Sequence, residues 1–269
     1  MLRARIVTAS VLIATLAVLL FLAPRGAWTL FCALFAGGAA VEWGRLIGIS
    51  QTGIRIFAAS VFLGIVIWSG LPLPDVASRS IYAASVAFWV LMVPVWLWRH
   101  GLPTRPVFSI GSAALVIFAA ALALSNLRNG GGWFVLFALG IVWISDTAAY
   151  FVGSQLGRHK LAPSISPGKT WEGAAGAIIC VGVYALGWTH FSSGILPERF
   201  TSSVEGRLGL ILLALFIAVL GIYGDLYESM LKRKAGVKDS GSLLPGHGGI
   251  LDRVDALLPA MPFAALTLM

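Results

Sequence analysis

VFSIGSAALVIFAAALALSN, Val107 to Asn126, runs for twenty residues without a charge. A helix needs about 20 apolar residues to cross a hydrocarbon layer of about 30 Å. Eight more runs of similar character flank this one. The expected spans are 6–23, 27–48, 54–72, 81–98, 107–126, 132–153, 172–191, 206–228 and 250–269. The runs do not alternate apolar and polar residues, as barrel strands would, so helices are the expected spanning form. Composition agrees. Hydrophobic residues make up 58% of the 269-residue chain, charged residues 11%, and the mean hydropathy is +0.90. A soluble domain carries about a quarter charged residues. The expectation is an all-α integral membrane protein of about nine helices in a single polytopic domain, 1–269. Residues 1–130 form the N-terminal helices, and 131–269 the helices and loops that carry a polar site.

The formal charge of +8 is informative through its distribution. With nine spans, 14 of the 19 lysines and arginines fall on the side of the N-terminus. The positive-inside rule makes that side cytoplasmic and puts the C-terminus opposite. This places the chain in a bacterial-type inner membrane and gives no reason to expect a nucleic-acid partner. The apolar run after Arg3 and Arg5 exceeds the 7–15 residues of a signal-peptide core and reads as a retained helix. Cys32 and Cys180 lie within apolar runs and read as packed thiols.

The acids gather near the cytoplasmic ends of spans. Carboxylates in a span are costly and face a cavity, a partner or a metal. Asp225 and Glu228 are three apart near the end of span eight, and Asp252 and Asp255 three apart near the start of span nine. Each pair shares a helix face. Such hard oxygen ligands suit Mg²⁺. Arg253, Lys232 and Arg233 are close enough in sequence that interfacial ion pairs account for the same acids, and spacing alone leaves both readings open. Asp146, near the cytoplasmic end of span six, either joins this group or lines a polar route. Glu42, with Arg45 three residues on, reads as one half of an intrahelical pair.

Two polar links lie on the cytoplasmic side. The stretch from Lys232 to Asp239 is dense in cations and leads to Pro245-Gly246-His247-Gly248-Gly249. Cations, glycines and a following helix start together suit a phosphate cradle, whereas contact with lipid headgroups would explain only the cations. The other link holds Ser166-Pro167-Gly168-Lys169-Thr170-Trp171-Glu172-Gly173. It is not a P-loop, because Pro163 stands where the first glycine belongs and no strand is expected before it. His159 lacks a partner at metal-ligand spacing. The run Gly173–Ala177 reads as small-residue helix packing, and Pro259 and Pro262 interrupt span nine. Trp143, Tyr150, Trp171, Tyr223 and Tyr227 read mainly as interfacial anchors.

The order Ser229-Met230-Leu231-Lys232-Arg233, Lys238-Asp239-Ser240-Gly241, Leu244-Pro245-Gly246-His247-Gly248-Gly249 and Asp252-Arg253-Val254-Asp255 resembles the phosphatidate cytidylyltransferase family. Asp146 with Ala149-Tyr150, the Ser166–Gly173 segment, and Gly224-Asp225-Leu226 with Glu228-Ser229 resemble it as well, so the likeness covers about 140–255. The N-terminal half matches only in hydropathy and in Glu42-Trp43. The resemblance implies an all-helical integral membrane enzyme that is Mg²⁺-dependent, homodimeric and set in membrane lipid. It implies the reaction of CTP with phosphatidate to give CDP-diacylglycerol and pyrophosphate.

On that reading Asp225, Asp252 and Asp255 hold Mg²⁺ and a possible second cation, with Asp146 and Glu228 as further ligands. Lys232, Arg233 and His247 join Asp225, Asp252 and Asp255 in the catalytic set. Lys169, Lys238, Asp239, Ser166, Thr170, Gly246, Gly248, Gly249 and Arg253 contact substrate. A transporter would instead place acids near mid-membrane across an internal repeat. A CDP-alcohol phosphotransferase would carry an Asp-Gly-x-x-Ala-Arg segment, which is absent. A scaffold has no need of Gly-His-Gly-Gly between two acid pairs. Counted from Gly249, the last span has about 21 residues and a rise of roughly 31 Å, just enough to cross.

Overall fold

The computed structural model describes residues 2–102, 106–191, 195–243 and 248–269. Its helices are α1 (Leu2–Phe21), α2 (Arg25–Leu46), α3 (Gln51–Gly70), α4 (Asp75–Ala87), α5 (Val93–Arg99), α6 (Pro106–Leu127), α7 (Gly132–Leu156), α8 (Trp171–Phe191), α9 (Val204–Lys234), α10 (Leu251–Val254) and α11 (Leu257–Leu268). A π-helical turn at Phe88–Met92 joins α4 to α5, so Asp75–Arg99 acts as one rod. Seven helices among the described residues are long and apolar enough to cross a membrane: α2, α3, the α4–α5 rod, α6, α7, α8 and α9.

Two of the nine expected spans fall outside that set. The N-terminal one is α1, twenty residues long. The last is divided into α10 and α11, and twelve residues in α11 rise only about 18 Å. Asp255 and Ala256 between them keep right-handed helical dihedrals. The combined rod therefore still traverses the bundle, and Arg199 Nη2, in the link between α8 and α9, donates to the Thr267 carbonyl at 2.7 Å. α11 packs against α4, α6, α7 and α9. Ala260, Met261 and Ala264 are fully buried, so the helix containing Pro262 sits inside protein rather than facing lipid.

Close helix approach explains the small residues. A Cβ on Gly173 would collide with the Ala149 carbonyl, and one on Gly176 with Val152; these contacts join α7 to α8 as the small-residue run predicts. The two thiols differ. Cys32 is buried, but Cys180 is exposed on the outer face of α8, because the apolar face that it shares is turned away from the bundle. Tyr227 is no interfacial anchor. It is buried among Trp89, Trp43 and Trp96, with ring centroids 5.5, 5.9 and 5.9 Å away.

The polar link after α7 departs from the all-α expectation. Lys160–Ala162 (β1) and Ser166–Thr170 (β2) form an antiparallel hairpin with Lys160 opposite Thr170. A strand therefore does run into α8, contrary to the sequence reading, and Gly168-Lys169-Thr170 lies within it rather than in a loop. Thr170 Oγ1 accepts from Gly173 N at 3.1 Å and caps α8. His159 also has a partner: its Nδ1 lies 2.6 Å from Glu172 Oε1, folding the hairpin onto the start of α8.

Both polar links meet at one end of the bundle. Arg233 Nε donates to the Ile165 carbonyl at 3.5 Å, and Ser164 Oγ lies 3.2 Å from His100 Nδ1 beyond α5. Single cysteines at Ser164 and Val237, in a background with Cys32 and Cys180 replaced by serine, should therefore react with a membrane-impermeant maleimide from the same side of sealed vesicles. Labelling from opposite sides would contradict this arrangement.

Candidate active site

A cavity of about 440 Å³ opens at the polar end of the bundle. α7 contributes Asp146 and Tyr150, β2 contributes Ser166, Gly168, Lys169 and Thr170, and α9 contributes Asp225. Asp252 from α10 and Asp255 just after it close the wall. Segments separated by more than a hundred residues thus meet because α7, α8 and α9 are adjacent and because both links return to this end.

The charges are arranged in two groups. Lys169 Nζ lies 2.5 Å from Asp225 Oδ2, and Ser229 Oγ donates to Asp225 Oδ1 at 3.3 Å. Lys232 Nζ sits between Glu228 Oε2 at 2.5 Å and Asp252 Oδ1 at 2.7 Å. Asp252 also accepts from Ser240 N at 3.1 Å and Gly249 N at 2.9 Å. Its own N–H donates to Ser240 Oγ at 3.3 Å. The ion-pair alternative is thus realised for Asp225, Glu228 and Asp252. Among the described residues, no three acidic, histidine or cysteine side chains converge tightly enough to hold a metal as they stand.

The structure brings Asp146, Ser166, Lys169, Thr170, Asp225, Asp252 and Asp255 together around one cavity. Glu228 is buried behind it with Lys232 between them. Other residues named from sequence lie elsewhere. Arg233 is exposed and serves the Ile165 and Val237 carbonyls. Lys238 and Asp239 are exposed in the loop after α9. Arg253 follows Asp252 by one residue, about 100° around a helix, and faces a second cavity. Gly248 takes φ +81°, which favours glycine, and Gly249 supplies its N–H to Asp252. Gly246 and His247 lie outside the described residues.

Glu42 is the residue that sequence reasoning misplaced. It is fully buried on α2 while Arg45 is exposed, so the intrahelical pair does not form. Its carboxylate instead accepts from Ser240 Oγ at 2.8 Å, Ile250 N at 3.0 Å and Leu251 N at 2.8 Å. Those two amides belong to the start of α10, where free N–H groups favour an anion. A Cβ on Gly241 or Gly249 would overlap this carboxylate, so both glycines are needed for the loop to close on it. The signal available in the sequence was an acid isolated within an apolar span, which requires a buried partner.

The sequence profile of the cytidylyltransferase family matches residues 3–269. The chain belongs to that family. It is 32% identical over 291 residues to the phosphatidate cytidylyltransferase of Haemophilus influenzae, covering 98% of this chain and 97% of that protein. It is 34% identical over 282 residues to the enzyme of that name from Pseudomonas aeruginosa, covering 99% and 97%. It is 45% identical over 140 residues to the one from Bacillus subtilis, covering 52% and 49%. The chain is accordingly a nucleotidyltransferase and a multi-pass membrane protein.

Removing Glu42 leaves two buried donors, Ser240 Oγ and Leu251 N, and the half-buried Ile250 N without their acceptor, at about 1–3 kcal/mol for each buried donor. Glu42→Ala should lower the melting temperature of the detergent-solubilised enzyme by several degrees and reduce turnover at least about tenfold, as a loss of about 1.4 kcal/mol would. Glu42→Gln, which keeps an acceptor, should recover part of both. Wild-type stability and turnover in Glu42→Ala would show that the contact is dispensable.

Proposed function

We propose that this enzyme transfers the cytidylyl group of CTP to phosphatidate, giving CDP-diacylglycerol and pyrophosphate for phospholipid synthesis. The observation that carries the reading is the acid-lined cavity at the polar end of an apolar bundle. A diacyl lipid is too costly to extract from the bilayer, at about 0.8 kcal/mol per buried CH₂, so its phosphate must react at headgroup level. The charge bias of the links makes this end cytoplasmic, where nucleotide is available. Nine crossings then place the N-terminus in the cytoplasm and the C-terminus opposite, in a bacterial inner membrane. The family resemblance supports a homodimer.

The donor set fits a divalent metal. Asp146, Asp225, Asp252 and Asp255 face one cavity, and Lys169 and Lys232 are the ammonium groups paired with acids there. Clustered carboxylates in excess of their cations favour a bound cation, and oxygen donors suit Mg²⁺. Asp225, Asp252 and Asp255 would hold it, with Asp146 as a further ligand or as support for a second cation. Glu228 acts behind them by orienting Lys232. When bound, Mg²⁺ neutralises phosphate charge.

The chain's own groups do the positioning. A phosphatidate phosphate oxygen forms a bond to the α-phosphorus of CTP while the bond from that phosphorus to the bridging β-phosphate oxygen breaks. Pyrophosphate leaves with that electron pair. The attacking phosphate already carries negative charge, so no side chain needs to remove a proton. Transfers of this kind depend on alignment and charge neutralisation. Lys169 exchanges Asp225 for a substrate phosphate, and Lys232 holds Asp252 in place. Ser166 and Thr170 border the phosphate path, and the exposed Arg233 and Lys238 draw the triphosphate toward the cavity.

Purified protein in detergent, given phosphatidate, Mg²⁺ and CTP labelled at the α-phosphate, should move label into the lipid phase, and EDTA should stop this. Asp252→Asn should remain folded yet lose turnover by at least about a hundredfold, a barrier increase of about 2.7 kcal/mol. Label that stays with water-soluble products in the presence of Mg²⁺ would refute the reaction. Normal turnover in Asp252→Asn would refute its role.

A further inference from the structure

A second cavity lies on the other side of α10 from the aspartates. It has a volume of about 200 Å³ and lies between α2, α6, α7 and α11. Trp28, Phe31, Phe35 and Ala39 line it along α2. Those positions cover about 16 Å of helix rise. α6 adds Ile117 and Leu124, and α11 adds Met261. The space is therefore elongated along the bundle, and the Trp28 indole N–H is turned out of it toward the Leu124 carbonyl at 2.9 Å. Among the described lining residues only Arg253 carries charge, and it stands at the polar end.

This shape restricts the occupant. Water finds too few hydrogen-bonding partners in such a lining, and an empty slot would forfeit dispersion contacts along its whole length. An extended hydrocarbon chain fills it. A cation at the headgroup end of that chain matches an anionic headgroup rather than a neutral one. α10 is the wall between this space and the reaction cavity, with Arg253 on one side and Asp252 and Asp255 on the other.

We infer that this cavity seats one acyl chain of the phosphatidate substrate, with Arg253 against the lipid phosphate. The inference rests on the proposed reaction for the identity of the lipid. Arg253 thereby holds the nucleophile beside α10, and the cavity fixes the depth of the lipid in the bilayer. The four-residue helix thus has the lipid-facing Arg253 on one side and Asp252 of the reaction cavity on the other, with Asp255 directly after it.

The test is photo-crosslinking of the full chain in phosphatidylcholine nanodiscs, using phosphatidate with a diazirine in one acyl chain and, separately, phosphatidylcholine with the same group. Peptide mapping should place phosphatidate adducts on residues 28–39 and 117–124, in excess over phosphatidylcholine. Arg253→Gln should reduce those adducts about tenfold, as for loss of roughly 1.4 kcal/mol of binding, and Arg253→Lys should restore most of them. Equal labelling by both lipids, adducts confined to other helices, or no effect of Arg253→Gln in folded protein would overturn the inference. Should Arg253→Gln fail to fold, the comparison of the two lipids in wild-type protein decides alone. Turnover measured on the same samples separates the two claims. Turnover without selective adducts removes only the lipid site, whereas selective adducts without transfer from CTP remove only the reaction.

Discussion

Carboxylates at the end of an apolar bundle must be neutralised, and most of this structure follows from how that is done. Asp146, Asp225, Asp252 and Asp255 face one cavity with Glu228 behind them, while Lys169 and Lys232 form the ion pairs seen there. Lys232 joins α9 to α10, and Lys169 joins the hairpin to α9. The Lys232–Asp252 and Lys169–Asp225 pairs are thus also tertiary contacts, while Lys232–Glu228 lies within α9. For the largely buried Lys232 pairs, removing one partner costs about 3–5 kcal/mol because the remaining charge has no partner. The acids there outnumber the lysines paired with them.

Glu42 extends the same logic to the N-terminal half. A fully buried acid on α2 accepts from Ser240 and from the first amides of α10. Ser240 in turn contacts Asp252 through its backbone N–H and its hydroxyl. The chain Glu42–Ser240–Asp252–Lys232 therefore connects α2 to the acids that line the cavity at the polar end. Short polar segments are held in one geometry by helices that otherwise pack through apolar and small residues. The proposed lipid slot uses the same elements, since α2 forms its long wall and α10 its polar end.

Much of the architecture was legible because hydropathy sets helix length directly. Seven of the nine expected spans coincide with helices long and apolar enough to cross, and the run 107–126 is the body of α6. The second acid pair was legible too, because i, i+3 spacing fixes a shared face: Asp252 and Asp255 do line one cavity, whereas Glu228 lies behind the wall to which Asp225 contributes. Arg253 was not, since its neighbours in sequence do not reveal which side of a four-residue helix it takes. Nor was Glu42, whose partner lies about two hundred residues away, while Arg45 lies one turn away. The β-hairpin escaped notice because Ser166–Thr170 does not alternate, has Pro167 and Gly168 within it, and ends in its single β-branched residue, Thr170. It is held instead by register with Lys160–Ala162 and by Glu172 bonding the backbone at His159.

The central claim is that the acidic excess of this cavity is a divalent-cation site. Electron paramagnetic resonance of Mn²⁺ added to the purified enzyme tests it without reference to turnover. The account predicts a bound Mn²⁺ signal that Mg²⁺ displaces and that Asp225→Asn with Asp255→Asn removes while the protein stays folded. A signal unchanged in that double variant, or no bound Mn²⁺ in the wild-type enzyme, would contradict it.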